Sequence, residues 1–320
     1  MANRIKEKYM AGKRYFDYPM LFLVIFLICF GLVMIYSTSS YKSTVTYGNS
    51  YHWLLRQAVA IVLGAVAMVV CCKLDYHIMK SEKFGNGCYW ASIVLLVLVL
   101  IIGAAKKGAV RWISIAGFQF QPSEVSKILV VIYLANRLSA NAHKIRTFKD
   151  SIVIVLPTVP IIALIVTQNL STALVVCSMI GVMLFVVSPK MKELMLTAGG
   201  GIILLFVYLL TANSYRNERV QIWLHPESHK KGFQTMQALY AIGSGGIFGK
   251  GLGQSMQKMG FIPESHNDMI FSIICEELGL FGAVCLILVF VALIFRMLLI
   301  ALNIEDLFGS LIVIGFMTHI

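Results

Sequence analysis

The chain is short of charge. Only 13% of its 320 residues are Asp, Glu, Lys or Arg, against about 25% in an ordinary soluble domain. That is too little to cover a water-facing surface, so a soluble enzyme is excluded. Acids are the scarcer sign, 15 against 27 Lys and Arg. No cysteine sits in a CxxC or Cys/His spacing that would hold a metal or mark a disulfide framework. The seven cysteines (Cys29, Cys71, Cys72, Cys88, Cys177, Cys275, Cys285) lie in or beside apolar runs and read as small hydrophobes. There is no low-complexity tract, no internal repeat and no stretch that reads as a separate soluble domain. In their place the chain has 58% hydrophobic residues and a mean hydropathy of +0.81. Most of it is built for lipid. The net charge of +12 then has a plain cause in the Lys and Arg that cytoplasmic loops of membrane proteins collect, and nucleic acid is not implied.

Apolar runs fall at about 19–38, 54–72, 88–105, 125–141, 151–167, 172–189, 193–212, 269–296 and 307–318. Eight are long enough to cross a hydrocarbon core of about 30 Å. The ninth, about 12 residues, is too short to span at about 1.5 Å per residue, and is read as a helix cut by the end of the chain. The fold expected is all-α: one integral membrane domain over 1–320, a polytopic helix bundle of eight full crossings and a truncated ninth. With the N-terminus inside, fifteen Lys and Arg lie on inner segments, six on short outer ones and six in 213–268. That asymmetry puts the N-terminus in the cytoplasm. Seven crossings later, 213–268 is a large extracytoplasmic loop, with 232–244 able to form a short interfacial helix. Pro157 and Pro160 should kink the fifth run. The polar dip at 167–172 should turn the chain.

Four clusters could carry chemistry. In the first, Arg111 precedes Gln121-Pro122-Ser123-Glu124 and Lys127. Pro122 suits a first helical position, and Glu124 can pair with Lys127 three residues on. That is either a capped helix start or a cationic rim for an anionic headgroup. The second is Tyr215-Arg216, Arg219 and Trp223, with Gln234 and Gln237 further on. Third is the glycine-rich run 243–253. It fails both the P-loop and the GxGxxG pattern, and is either a tight turn or a set of backbone N–H groups, around Gly245 and Gly246, able to cradle phosphate. The fourth is Pro263-Glu264-Ser265-His266-Asn267-Asp268, just before the eighth crossing, with Glu276 and Glu277 inside it. Asp268 is either a helix cap or a general base at the mouth of the bundle. Glu277, costly at membrane depth, is either a partner for Lys127 or an Arg, or a functional group.

Four stretches resemble the family of FtsW, RodA and SpoVE: RWISIAGFQFQPSEVSKI (111–128), NLSTA (169–173), GFQTMQALYAIGSGGIFGKGLGQSMQK (232–258) and FIPESHNDMIFSIICEELGLFG (261–282). The wording is closer to FtsW and SpoVE than to RodA. The resemblance implies about ten crossings in the bacterial cytoplasmic membrane. It implies a peptidoglycan glycosyltransferase that polymerises lipid II at the outer face, and a class B penicillin-binding protein as partner. It also implies that the acid in the His-x-Asp stretch, Asp268, is the catalytic carboxylate. Two departures stand out. Many members carry Pro-Asp-Leu where this chain has Gln168-Asn169-Leu170. The family also continues beyond the ninth crossing with a Pro/Gly/Ser-rich segment and a tenth helix.

The mechanism expected is inverting glycosyl transfer. Asp268 takes the proton of the acceptor hydroxyl, and Arg111, Lys127 and Arg219 stabilise the departing pyrophosphate. A divalent cation, Mg or Mn, could share that task, although no metal motif is visible. The remaining candidates for substrate contact are Glu124, Gln234, His266, Glu277, Gly245 and Gly246. Two other readings compete. One is a lipid II flippase that uses Glu276, Glu277 and Lys127 as a polar path. The other is a non-catalytic scaffold for a transpeptidase.

Overall fold

The computed structural model describes residues 16–106, 109–115, 118–145, 147–188, 221–228 and 232–320. The architecture is mostly helical. Among the described residues, six helical stretches are long and apolar enough to cross a membrane: Tyr18–Tyr47, His52–Lys73, Glu82–Ile102, Lys149–Gln168, Leu170–Val187 and Ile270–Asn303. The chain is thus a multi-pass membrane protein. The run at 193–212 lies outside the described residues. The chain divides into two compact units, one of Met1–Ala67 with Glu218–Arg296, the other of Met68–Asn217 with Met297–Ile320.

In the first unit, α1 is Tyr18–Tyr47. Asp17 caps its start by accepting from the Met20 N–H, and Gly48, at φ 69°, closes its end in the left-handed conformation. The residues that α1 buries are Met34, Ser37, Thr38, Ser39 and Ser43, while Phe22, Ile25 and Val33 are exposed. Polar side in and apolar side out is the inverse of a soluble helix. Lipid offers a hydroxyl no partner, whereas on the protein side Ser37 donates to the Glu277 carboxylate. The next helix, α2 (His52–Lys73), buries no residue at all.

The second unit holds α3 (Glu82–Ile102) and α4 (Pro122–Asn141), with Pro122 in the first turn of α4 as expected. Pro157 and Pro160 break the fifth run into α5 (Phe148–Val155), a short 3-10 turn (Leu156–Thr158) and α6 (Val159–Gln168). Asn169 then turns the chain and caps α7 (Leu170–Val187) through the Ser171 N–H. The ninth run forms α10 (Leu307–His319). Leu96, Leu134, Leu138, Ile161, Ile165, Met183, Phe308 and Leu311 share one core in this unit. Asn136 holds the chain before α3 by donating to the carbonyls of Lys80 (2.6 Å) and Ser81 (3.1 Å). Beside the helices of this mostly helical fold stands a small three-stranded antiparallel sheet, β1 (Ala104–Lys106), β2 (Ala109–Ile115) and β3 (Phe118–Phe120). Val110, Trp112, Ile113 and Ile115 favour a strand, and glycines at 108 and 117 punctuate the sequence around it.

Candidate functional site

In the first unit, α8 (Phe233–Ser244) leads into the glycine-rich run, and α9 (Ile270–Asn303) holds the acidic pair. Helix α9 is broken at Gly279, whose φ of 70° and ψ of −172° are open essentially to glycine alone. A break frees backbone groups, and in an apolar surrounding each must find a partner. The glycine-rich run supplies them. Lys250 and Gly251 donate their N–H groups to the carbonyls of Glu276 and Glu277, both at 2.9 Å. The N–H groups of Leu280 and Phe281 donate to Gly246 (2.9 Å) and Ile247 (3.0 Å). Such pairing needs backbones in contact. A Cβ on Gly245 would stand 2.0 Å from the Cys275 carbonyl oxygen, and one on Gly249 would stand 2.2 Å from that of Glu277. The run is therefore a patch on a broken helix. At Gly245 and Gly246, where a phosphate cradle was expected, the carbonyls accept from the N–H groups of Gly249 (2.8 Å) and Leu280 (2.9 Å).

The acidic pair strengthens the same junction. Glu276 is fully buried and meets Lys250 Nζ at 2.7 Å. It also accepts from Ser255 Oγ, from Ser244 Oγ (3.4 Å) and from the Met256 N–H (3.3 Å). Glu277, equally buried, meets Lys258 Nζ at 2.7 Å and takes the Ser37 hydroxyl at 2.7 Å. Lys258 in turn donates to Ser37 Oγ at 3.0 Å. The expected partner of Glu277, Lys127 or an Arg, is thus corrected to Lys258. Lys127 pairs instead with Glu124 at 2.9 Å, one turn away on α4. Two consecutive buried acids need two cations from a loop that can reach both, and 250–258 provides them.

Asp268 lies in the turns between this loop and α9. Its carboxylate is exposed and, among the described residues, has no hydrogen-bond or ion-pair partner. It does not cap α9. The turn around it is held firmly. Ser265 Oγ donates to the Thr38 carbonyl of α1 (3.2 Å), and Gln234 Nε2 donates to that of Pro263 (3.4 Å). Ile262 is buried with Ala241 and Ile273. His266 is buried against Trp53, ring centres 4.9 Å apart. Burial pushes the His266 pKa below the ordinary histidine value, and Lys42 adds to the effect. At the far end of α1, Asp17 pairs with Arg296 at 2.7 Å. Thr38 is roughly 30 Å along α1 from Asp17 at about 1.5 Å per residue, which is about one hydrocarbon thickness. The Asp268 turn and the Asp17–Arg296 pair therefore sit at opposite ends of the membrane-spanning part of this unit.

Of the other expected residues, Arg111 lies on β2, where its backbone alone is described. Arg219 lies outside the described residues. Lys127 is buried beside its half-exposed partner Glu124. Among the described residues no three His, Cys, Asp or Glu side chains converge on one point, so these residues do not by themselves assemble a site for the divalent cation considered from the sequence. Reasoning from sequence missed Ser37, Lys250, Ser255 and Lys258. The available signal was electrostatic, since two intramembrane acids demand two nearby cations.

Fold and site together define a polytopic membrane protein with an exposed carboxylate on a strapped turn beside a patched helix break. Comparison with known proteins is consistent throughout. The model of the FtsW/RodA/SpoVE family, described as "Cell cycle protein", matches residues 18–320, and the chain belongs to that family. It is 35% identical over 313 residues to a probable peptidoglycan glycosyltransferase FtsW of Geobacter metallireducens, covering 95% of this chain and 82% of that one. It is 34% identical over 314 residues to the stage V sporulation protein E of Bacillus subtilis, covering 95% and 84%. Among solved structures, one titled as a peptidoglycan synthase complex that coordinates polymerization and crosslinking superposes with a TM-score of 0.76 at 28% identity, over 96% of this chain and 84% of that chain. Thermus thermophilus RodA gives 0.67 at 26%, over 98% and 82%.

Proposed function

We propose that this protein is a peptidoglycan glycosyltransferase that joins lipid II units into glycan strands at the outer face of the bacterial cytoplasmic membrane. The observation that carries the reading is Asp268, an exposed and unpartnered carboxylate on a turn tied to α1, α2 and α8. A base must be free to take a proton yet held in place, and this group meets both needs. Asp268 accepts the proton of the sugar hydroxyl as its oxygen attacks the anomeric carbon of the lipid-linked donor. The bond to pyrophosphate breaks with inversion, and cationic side chains, Arg111, Lys127 and Arg219, stabilise the leaving group. Eight crossings, with the N-terminus in the cytoplasm and 213–268 outside, put this turn on the side where the substrate headgroup lies. The opposite placement of Asp17–Arg296 and the Asp268 turn along α1 supports that orientation. A class B penicillin-binding protein is the partner expected to cross-link the product. In support, the FtsW homologues carry a glycosyltransferase name and the structural neighbour is titled a synthase complex.

The flippase reading draws no support from Glu276 and Glu277. Both are neutralised by lysines and closed off by hydrogen bonds, which makes a structural junction and leaves them unsuited to an open polar path. The test is polymerisation of purified lipid II by the protein with its partner. Asp268→Asn should lose at least about a hundredfold in rate, the usual contribution of a general base. Polymer formation by that variant at the wild-type rate would remove the assignment.

A further inference from the structure

Beside Asp268 lies a group of rings that proton transfer does not need. Tyr47, at the end of α1, stacks on His52 with ring centres 3.9 Å apart. His52 stands edge-on to Trp53 at 5.7 Å, and Trp53 meets His266 at 4.9 Å. The Arg56 guanidinium lies 5.7 Å from the Trp53 ring centre. His266 is two residues from the proposed base. Three ring nitrogens of this group, His52 Nε2, Trp53 Nε1 and His266 Nδ1, are buried without a hydrogen-bond partner. His266 itself is only 9% exposed.

An aromatic residue of the interfacial belt keeps its ring N–H in water or among headgroups. Here the Trp53 N–H and two histidine ring nitrogens turn inward and remain unpaired, a cost that a fold retains where an incoming group supplies the bonds. The chemistry of that group follows from the lining. Aromatic faces take the apolar C–H face of a pyranose ring. Ring nitrogens take hydroxyl groups or an amide carbonyl. His266 is held toward its neutral form by burial, so it can donate from one nitrogen and accept at the other. Tyr47, 50% exposed, forms the outer wall.

We propose that Tyr47, His52, Trp53, Arg56 and His266 form a subsite that stacks and hydrogen-bonds an N-acetylated hexopyranose and presents its hydroxyl to Asp268. The subsite rests on the glycosyl-transfer reading and names where that reaction holds one sugar.

Two measurements on the full chain in nanodiscs test it. In the first, Trp90, Trp112 and Trp223 are replaced by Phe so that Trp53 alone fluoresces, and a tetramer of β-1,4-linked N-acetylglucosamine is titrated in. A saturable change in emission is expected, with a much weaker response to a maltotetraose of equal length. No saturable change, or an equal response to both sugars, overturns the subsite. In the second, lipid II polymerisation is followed with the partner present. Trp53→Ala should raise KM about tenfold with kcat held within about twofold, and Trp53→Phe should recover most of the loss, as expected when uniform binding is removed. An unchanged KM overturns the proposal. Should Trp53→Ala fail to fold, Tyr47→Ala, at a half-exposed ring, should raise KM in the same way, and an unchanged KM there is equally fatal to the subsite. The two readings separate cleanly. A wild-type protein that binds the tetramer through Trp53 but makes no polymer sinks the transferase and keeps the sugar site. A polymerase whose KM ignores Trp53 and Tyr47 does the reverse.

Discussion

Glu277 and Lys258 meet at 2.7 Å with both side chains almost wholly out of solvent, and Ser37 of α1 bonds to each. A buried pair of this kind is costly to form and more costly to break, because the survivor is left as an uncompensated charge. The pair joins α1, the loop before Asp268 and α9 at one point. It is therefore the place where a single substitution should do the most structural harm.

Lys258→Met should destabilise the protein by about 3–5 kcal/mol, the range for stripping one partner from a buried pair. The double variant Lys258→Met with Glu277→Gln should recover most of that loss, because no charge is left unpaired. Thermal unfolding in detergent reads both. A double variant no more stable than the single one would argue against the pair as the source of the effect.

The broken helix makes a sharper prediction. Gly245→Ala and Gly249→Ala each place a Cβ inside 2.5 Å of a carbonyl oxygen of α9, and Gly249 also has φ 78°. Both should lower the folded yield strongly. Gly243→Ala has open space around it and lies within α8, so it should be neutral or slightly stabilising, since alanine suits a helix better than glycine. Comparing the three by melting temperature separates close backbone approach from general sensitivity of the loop.

Asp268→Asn should leave the melting temperature unchanged within error even as it removes activity. The carboxylate is exposed and supports no other group, and such surface changes stay within about ±0.5 kcal/mol. A large drop in stability would mean that the side chain has a structural task.

His266 should show a pH signature. Burial, and then Lys42, lower its pKa from the ordinary value. Between that folded value and about 6.5 the unfolded chain binds the extra proton, so stability rises with pH across this window and is complete above it. On acidification it is lost as pH falls below about 6.5 toward the folded pKa. His266→Gln should flatten that slope. Unfolding measured at several pH values between about 5 and 7.5 gives the comparison.

Some of this could be read from the residues alone. Long apolar runs needed lipid, prolines at 157 and 160 needed a kink, Asn169 needed a turn, and Pro122 with Glu124 needed a helix start. Each follows from a local rule, and the kink, the turn and the helix start all formed. The strands at 104–120 did not declare themselves, because three short segments carry too weak a period against a background of apolar helices. The partner of Glu277 was equally hidden, since pairing depends on which cation the fold brings near, and Lys127 had its own acid three residues away.

The sequence by itself determined that the chain lives in a membrane and that position 268 holds an acid beside a helix start. Tertiary structure alone decided what the glycines and the two consecutive acids do. A broken helix in an apolar surrounding must have its freed carbonyls and amides answered, and its buried charges neutralised, by groups distant in the chain. No local pattern specifies which groups those are, because the choice is made only when the loop closes on the break.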